Sequence, residues 1–447
     1  MTWINRRAFL GLGSSLATGL WLVSHGANAS EFRRRAMEGG GDGHVRMFAG
    51  SRAEFPFAFK SVAGGAAEWT VSRLAFANPG CEKTDLEAVF VNLALPPERG
   101  GAETPGPATI RVAAVLRIEG AAGRLGVAAH DRTAVVVSVA PGEVGRIIWP
   151  DTTIAAGARY YVDSFVQSDV EQGVPVAYQT NAERGEGVAL LGTNIGDDIP
   201  IDAKVEFADG RSAFGPSALL ARPVGQRRGI SAALIVDSIG MGAAEARSGG
   251  DLNGQRGFLG RGLDKLGVDS GKLGMHGSVI ASFLGDAFKV RRQIMNEAAD
   301  LLVFQVGNND LNRSLSDIIK DWSAMADNLS DGGRLPAIGV MPGPKTRSTD
   351  NWSSLAGQSV YPSDSFADPL TSAEIRFGFR HWMASQVGDR LLGVIDPLPY
   401  WSDAPQRPDY WKPGATADGT HPSAAAQQEA VKATIAPDIA RILAADG

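Results

Sequence analysis

Residues 232–240, AALIVDSIG, decide the fold, because five apolar residues are followed at once by an aspartate and a serine. A second run of this kind, at 301–306, leads into the tetrapeptide Gly-Asn-Asn-Asp at 307–310. Short, uninterrupted apolar runs indicate strands that are buried on both faces of a sheet. Polar residues directly after such strands stand at the carboxyl edge of a parallel sheet, where α/β proteins place their functional sites.

The alternation of apolar runs with helical patterns continues through residues 223–447, which we predict to be one α/β domain. The apolar runs lie at 232–236, 301–306, 336–341 and 391–395, and the helical patterns at 279–299, 314–329, 371–387 and 423–443. Apolar strands separated by helices are typical of a mostly parallel sheet with helices on both faces.

Residues 51–222 have another pattern, in which short β-rich runs are separated by turn clusters such as PPERGG at 96–101. Many short strands with almost no helical period are typical of a β-sandwich or jelly roll. We therefore predict a β-sandwich (jelly-roll-like) accessory domain in front of the α/β domain.

Residues 1–29 have the features of a signal peptide, with Arg6 and Arg7 followed by an apolar run over 12–23. The arginine pair resembles a twin-arginine export signal, and an ordinary secretory signal that contains two arginines is the alternative. The apolar run is too short for a spanning helix, so we expect no stable membrane insertion after cleavage. The sequence thus predicts a periplasmic or secreted protein with a flexible, Arg- and Gly-rich linker at 30–50.

The composition excludes several classes of protein. The 447 residues carry a formal net charge of −6 and no long basic run, which is unlike a nucleic-acid-binding protein. The single cysteine, Cys81, excludes an intramolecular disulfide and a zinc site built from several thiolates. No histidine pair has the spacing of metal ligands, so we expect neither a metal nor another cofactor.

Four short patterns carry the chemistry. In chain order they are Asp-Ser at 237–238, LGMHGS at 273–278, Gly-Asn-Asn-Asp at 307–310 and Asp-Gly-Thr-His-Pro at 418–422. Together they resemble the SGNH (GDSL-type) hydrolase family over roughly residues 229–447. The resemblance implies a flavodoxin-like, three-layer α/β/α domain.

The resemblance also implies a role for each residue. A serine hydroxyl is a poor nucleophile at neutral pH and needs a neighbouring base, so Ser238 would attack, His421 would take its proton, and Asp418 would orient the imidazole. The oxyanion hole would consist of the backbone N–H groups of Ser238 and Gly277 and the side-chain amide of Asn309.

The patterns leave several alternatives open. Val236 stands where the family has a glycine, and Gly274 competes with Gly277 for the oxyanion role. His276, Asn308 and Trp411 are candidates for lining the substrate, although Trp411 could instead anchor a proline-rich loop. The same choice between packing and a sugar-binding surface applies to the aromatic residues of the β domain, Trp69, Trp149, Tyr160, Tyr161 and Tyr178.

The sequence therefore predicts an exported serine esterase that removes short acyl groups, acetyl above all, from a polysaccharide or a small acylated molecule. One alternative is an O-acyltransferase acting on an exported polysaccharide, since the same acyl-enzyme could pass its acyl group to a sugar hydroxyl. Another is a non-catalytic glycan-binding protein with a degenerate hydrolase domain.

Overall fold

The computed structural model describes residues 46–60, 68–119, 125–127, 135–192, 199, 207–208, 212–225, 229–245, 256–333, 335–360, 372–403 and 407–444. The predicted signal peptide at 1–29 and most of the predicted linker at 30–50 lie outside these residues. Export, its twin-arginine route and the domain boundaries stay predictions. Within the described residues, no helix is both long and apolar enough to cross a membrane.

The N-terminal β region, residues 46–223, is built from antiparallel strands. They are β1 Met47–Phe48, β2 Ala58–Lys60, β3 Trp69–Ala77, β4 Lys83–Val91, β5 Leu93–Ala94, β6 Thr104–Pro105, β7 Ile110–Glu119, β8 Leu125–Val127, β9 Val137–Val139, β10 Val144–Trp149, β11 Arg159–Ser168, β12 Val174–Val176, β13 Tyr178–Gln179, β14 Gly187–Gly192, β15 Ser212–Ala213 and β16 Ala218–Pro223. One sheet has the order β1-β16-β4-β10, and a larger one has the order β14-β3-β11-β7-β8, with β9 also paired to β7. The remaining strands form the short pairs β2-β12, β13-β15 and β5-β6.

The two larger sheets of this region contribute to one buried cluster. Leu86, Ala88 and Phe90 of β4 meet Leu74 of β3 and Val162 of β11 there. Residues spaced by two along a strand point to the same face, so these side chains are the inner faces of the two sheets. The β-sandwich and its jelly-roll connectivity stay predictions.

The C-terminal part of the chain is α/β. Its strands are β17 Ser231–Val236, β18 Asp269–Lys272, β19 Leu301–Gln305, β20 Ala337–Val340, β21 Thr346–Ser348, β22 Gln358–Val360, β23 Gly393–Ile395, β24 Ser402–Asp403 and β25 Arg407–Trp411. Its helices are α1 Ser238–Met241, α2 Phe258–Lys265, α3 Lys289–Ala298, α4 Leu315–Leu329, α5 Ser372–Ser385, α6 Leu398–Trp401, α7 Ala424–Ala430 and α8 Ala436–Ala444. A single π-helical turn, Val431–Ile435, connects α7 to α8.

Five parallel strands form the central sheet in the order β18-β17-β19-β20-β23. The chain thus starts in β17, adds β18 on one side and the later strands on the other, which is the flavodoxin-like order. In such sheets the crevice lies where the strand order reverses, which here is the carboxyl end of β17 and β19. The predicted parallel α/β sheet is confirmed.

Helices cover both faces of this sheet. Alternate residues of β17 separate into two clusters, with Ala233 and Ile235 on one face and Ala232 and Leu234 on the other. The first face packs against α3, α4 and α5, and the second against α2, α7 and α8. Strands buried on both faces explain why these segments are predominantly apolar runs in the sequence.

One helix and one strand of the α/β part are among the elements that differ from the sequence prediction. The helix predicted over 279–299 begins only at Lys289, because short 3₁₀ turns precede it and Gly285 has a left-handed φ of 53°. Strand β18 was not predicted, because its sequence Asp-Ser-Gly-Lys is polar although all four residues are buried.

Buried residues of β18 contact side chains of the N-terminal β region. Lys83 forms an ion pair with Asp269 at 2.8 Å, and both side chains are almost fully buried. The ring of Phe48 lies directly over Gly271, where a Cβ would be 2.3 Å from the nearest ring carbon. Phe48 and Val89 also belong to the same buried cluster as Ala233, so the two predicted domains share a core.

Candidate active site

The serine stands at the carboxyl end of β17, at the point where the strand order reverses. Asp237 precedes it and caps the short helix α1, since its Oδ1 accepts a hydrogen bond from the N–H of Ile239 at 2.9 Å. Burial raises the pKa of Asp237 to about 6, although the N–H of Ile239 and the side chain of Gln305 oppose that rise. Ser238 itself is 7% exposed.

The structure brings Ser238, His421 and Asp418 into one hydrogen-bonded chain. His421 Nε2 is 2.7 Å from Ser238 Oγ, and His421 Nδ1 is 2.6 Å from Asp418 Oδ2. An ionised carboxylate can only accept, so the proton of the neutral imidazole belongs on Nδ1 and leaves Nε2 to accept the serine hydroxyl. This is the protonation state in which a histidine can act as a general base towards a serine.

The loop that carries Asp418 and His421 holds its carboxylate ionised. Burial would raise the pKa of Asp418, but hydrogen bonds from the His421 ring and from the N–H groups of Thr420 and His421 hold it well below its usual value. Thr416 closes the loop, because its hydroxyl donates to the His421 carbonyl at 2.7 Å. The side chain of Asp418 is 53% exposed and that of His421 23%, so this end of the triad opens to solvent.

Trp411 supports the same loop from below and has no exposed surface. Its indole N–H donates to the carbonyl of Gly419 at 2.9 Å. A fully buried ring offers no face to a substrate, so the prediction that Trp411 lines the substrate is wrong, and its alternative role as an anchor fits the structure.

The predicted oxyanion residues come from two neighbouring segments. The glycine loop, residues 273–279, contains Gly277 in a left-handed conformation, with a φ of 79°. Asn309 lies beside this loop, since its Nδ2 donates to the carbonyl of Ser278 at 2.9 Å. Asp310 holds the end of the loop by accepting from the N–H of Ile280 at 3.1 Å. Gly277 and Asn309 therefore lie on adjacent segments of the chain, and their role as oxyanion donors stays a prediction.

Gly274 has a packing reason to be glycine. A Cβ at this position would lie 1.7 Å from the carbonyl oxygen of Val236, far closer than any non-bonded carbon and oxygen can approach. The N–H of Met275 donates to the same carbonyl at 3.3 Å. Gly274 thus lets the glycine loop run against the strand that ends at Ser238, and this close approach accounts for it without an oxyanion role.

The two remaining candidates for lining the substrate differ in exposure. Asn308 is only 2% exposed, and neither amide atom of its side chain has a hydrogen-bond partner among the described residues. Its position leaves almost no surface for a substrate, contrary to the prediction. His276 is partly exposed, and burial of its ring lowers its pKa to about 4, so the imidazole is neutral at physiological pH.

Sequence reasoning missed Gln305, which holds the turn that carries the serine. Its Oε1 accepts from the N–H of Gly240 at 2.7 Å, and its backbone carbonyl accepts from the N–H of Asp237. The signal that could have revealed Gln305 is that it is the single polar residue in the apolar run 301–306, at the end of a strand buried on both faces.

Sequence reasoning also missed a buried charge cluster behind the glycine loop. Arg256 pairs with Glu54 at 3.2 Å, and Lys272 Nζ is 3.9 Å from the same carboxylate. Burial lowers the pKa of Lys272 to about 8, and the Glu54 charge opposes that change. Nothing in the local sequence connects Glu54 with residues more than two hundred positions later.

The aromatic residues of the N-terminal β region are packing residues. Trp69 and Tyr160 are fully buried, and Trp149 and Tyr161 are less than a tenth exposed. The side chain of Tyr178 lies outside the described residues. Of the two readings left open by the sequence, these four rings therefore support packing.

Among the described residues, no group of three or more His, Cys, Asp and Glu side chains could hold a metal ion. The site contains a serine hydroxyl, an imidazole and a carboxylate in one hydrogen-bonded chain, with N–H and amide groups on a neighbouring loop. Such a set of groups can form and hydrolyse an acyl-enzyme.

No model of a known protein family matches this sequence, and no curated protein does. Among solved structures, a family two carbohydrate esterase from Cellvibrio japonicus is 9% identical, with 89% of this chain and 97% of that chain covered and a TM-score of 0.33. A family 3 carbohydrate esterase from Talaromyces cellulolyticus is 15% identical over 48% of this chain and 98% of its own, with a TM-score of 0.32. A member of the lipolytic G-D-S-L family from Veillonella parvula is 14% identical over 46% of this chain and 96% of its own, with a TM-score of 0.30. These low TM-scores support no functional assignment, so the function is inferred from the site itself.

Proposed function

We propose that this protein is a serine esterase that removes short acyl groups, such as acetyl, from a carbohydrate or a related ester. The observation that supports this proposal above all others is the hydrogen-bonded chain from Ser238 through His421 to Asp418, with donor–acceptor distances of 2.7 and 2.6 Å. It unites residues from the carboxyl end of β17 and from the loop before α7.

The proposed reaction has two acyl-transfer steps. Ser238 Oγ attacks the ester carbonyl while its proton moves to His421 Nε2, and the resulting oxyanion accepts hydrogen bonds from the N–H groups of Ser238 and Gly277 and from the Asn309 amide. One hydrogen of that amide is bound by the Ser278 carbonyl, which leaves the second to donate. The intermediate collapses, and the leaving alkoxide takes the proton from His421.

Water completes the cycle. It attacks the acyl-enzyme carbonyl as His421 takes one of its protons, a second oxyanion forms in the same place, and the carboxylic acid leaves as Ser238 Oγ is reprotonated. Asp418 stays ionised throughout, in keeping with its lowered pKa, and stabilises the imidazolium that forms in each step.

The exposure of the triad supports a bulky alcohol as the leaving group. Ser238 is largely buried, whereas the Asp418 and His421 side chains reach solvent. His421 delivers the proton to the leaving oxygen, so this oxygen and its substituent lie on the open side. A sugar ring attached there would meet solvent, while the acyl group would meet the enclosed serine.

Replacement of the nucleophile tests the proposal. We expect Ser238→Ala to lower kcat for p-nitrophenyl acetate, and for an acetylated glycan, by at least about a thousandfold, because loss of the nucleophile removes the covalent route. Ser385→Ala, on the exposed face of α5, is the matched control and should equal the parent. Equal activity of Ser238→Ala and the parent would refute the serine mechanism.

Product analysis in the same assay separates hydrolysis from acyl transfer. With acetylated donor and unmodified glycan together, an esterase releases acetate, whereas an acyltransferase produces newly acetylated glycan.

We further propose that the enzyme acts outside the cytoplasm. This proposal rests on residues 1–29 alone, and N-terminal sequencing of the mature protein tests it.

A further inference from the structure

One turn of the N-terminal β region lies against the glycine loop. The 3₁₀ turn Pro97–Arg99 faces Gly277, where an added Cβ would be 3.3 Å from Pro97 Cβ. The carbonyl of Gly100, the residue that directly follows this turn, accepts a hydrogen bond from the N–H of Val279 at 3.2 Å. The glycine loop is therefore bounded by residues that belong to the predicted accessory domain.

Arg291, in the first turn of α3, joins this turn to the glycine loop. Its guanidinium is fully buried and donates to the carbonyl of Leu273, at the start of the glycine loop, at 3.0 Å. It also donates to the carbonyl of Gly101, in the β region, at 3.0 Å. Two further donations, to Ser282 and Ala287, hold the chain between the glycine loop and α3. One side chain thus fixes three segments at once.

Glu103 of the β region holds Arg291 in place. Its carboxylate accepts from the backbone N–H groups of Val290 and Arg291, both at 2.9 Å, and from Arg291 Nε at 3.3 Å. The residue before α3, Phe288, supplies no side-chain cap, so Glu103 performs the capping function from a distant part of the sequence. Only 7% of the Glu103 side chain is exposed, which strengthens its interaction with the guanidinium.

We propose that Glu103 is a positioning residue for ester hydrolysis: through Arg291 it fixes the glycine loop, so that the N-terminal β region is a working part of the active site. The inference rests on the proposed function and on Gly277 as an oxyanion donor. A donor must be fixed at the place where charge develops, because a backbone N–H that moves with its loop stabilises the transition state less. Glu103 does not touch the substrate in this proposal.

The chain offers a matched control on the same helix. Glu297, at the opposite end of α3, also pairs with an arginine of the β region, since it contacts Arg146 at 2.8 and 2.9 Å. Both glutamates connect α3 to the β region, but only Glu103 is linked to the glycine loop. A general loss of interface stability would appear in both variants, whereas loss of loop position would appear in Glu103→Gln alone.

The test compares Glu103→Gln, Glu297→Gln and Ser238→Ala in the full chain, with p-nitrophenyl acetate as the substrate. Endpoint titration with a fluorophosphonate counts folded, reactive sites, so that kcat refers to folded enzyme. We expect Glu103→Gln to lower kcat by about tenfold to a hundredfold, less than loss of a whole oxyanion donor, with KM within about twofold of the parent. Glu297→Gln should keep both constants within about twofold.

A second measurement follows the loop directly. Peptides that cover residues 273–279 should exchange their amide hydrogens faster in Glu103→Gln than in Glu297→Gln or the parent. If Glu103→Gln fails to fold, Glu103→Asp replaces it. That variant keeps the charge beside Arg291 but shortens its reach, and we expect kcat to fall several-fold with KM unchanged.

The outcomes separate the two proposals. Full activity of Ser238→Ala refutes the proposed function and this inference with it. If Ser238→Ala is inactive but the Glu103 variant matches Glu297→Gln in kcat and in amide exchange, the proposed function stands and the role of Glu103 is refuted.

Discussion

Asp237 is a residue whose ionised form is destabilised by its position in the active site. Its carboxyl is fully buried beside the nucleophile, and burial raises its pKa to about 6. In the unfolded chain the same group has its ordinary pKa, near the reference value of 3.8. The folded protein thus binds this proton more tightly than the unfolded chain does. The contribution of Asp237 to the free energy of unfolding therefore falls as pH rises from about 4 to about 6.

Asp237→Asn isolates this contribution. Asparagine keeps an oxygen that can accept from the N–H of Ile239 but does not ionise. As pH rises from 4 to 7, the free energy of unfolding of the variant should therefore increase relative to that of the parent by about 1–3 kcal/mol. Urea unfolding of both proteins at several pH values measures the difference. Parallel stability curves would show that Asp237 does not titrate in this range.

At the scale of elements, the glycine loop shows two different reasons for glycine. Gly274 faces the backbone of β17 with no room for a Cβ, whereas Gly277 has a left-handed φ and a Cβ there would make only a slightly tight contact, 3.3 Å, with Pro97 Cβ. The first constraint is steric contact with a buried strand that cannot move. The second is a local backbone preference of about 1–2 kcal/mol.

Alanine substitutions distinguish these reasons. We expect Gly274→Ala to lower the free energy of unfolding by at least about 3 kcal/mol, because the loop must leave the strand to admit the methyl group. Gly277→Ala should cost about 1–2 kcal/mol. Denaturant unfolding of both variants tests the order, and a smaller loss for Gly274→Ala than for Gly277→Ala would contradict the described packing.

The elements that sequence could and could not predict differ in where their stabilisation comes from. Runs such as 232–236 have their apolar pattern in their own residues, and they are strands in the structure. Strand β18 has no such pattern. Residues from a distant part of the chain make its burial possible, since Lys83 pairs with Asp269 and the ring of Phe48 covers Gly271. The cap of α3 was equally hidden, since Glu103 supplies it from another part of the chain. Contacts between distant segments leave no periodic signal in a single sequence.

The candidate site was easier to predict than its supports. Ser238, Asp418 and His421 each follow a local pattern at a strand end or loop, and the structure brings all three together. Trp411 lies close to the site in sequence, which left open whether it lines the substrate or anchors the loop, and its complete burial favours the anchor. The position of Trp411 in the sequence indicated that it lies near the loop of Asp418 and His421, but it could not indicate whether the side chain is buried.

At the scale of the whole molecule, the two predicted domains are joined by burial. Phe48, Val89 and Leu220 pack in the same cluster as Ala233 and Phe304. The interface also contains the ion pair between Lys83 and Asp269. Separation of the two parts would expose the apolar face of the parallel sheet and leave buried charges without partners, both of which are costly.

We therefore expect the described regions to unfold together. Urea titration followed by tryptophan fluorescence and by circular dichroism should give coincident single transitions, because unfolding of either part opens the buried cluster that the two parts share. The fragment 223–447 expressed alone should be insoluble or unfolded. Two separated transitions, or a soluble and folded fragment, would show that the shared core is not needed.

The contact between Ser238 and His421 joins positions 183 residues apart. Loops that long close late in folding, because chain entropy is lost before the contact forms. The nucleophile's strand and helix could be in place while the base still lacked its place in the site, since His421 stands in the loop before α7, which packs on the sheet together with α8. During refolding, native secondary structure should therefore return before catalysis does. The recovery of activity over time would then report when the carboxyl-terminal helices pack on the sheet, without an attached label.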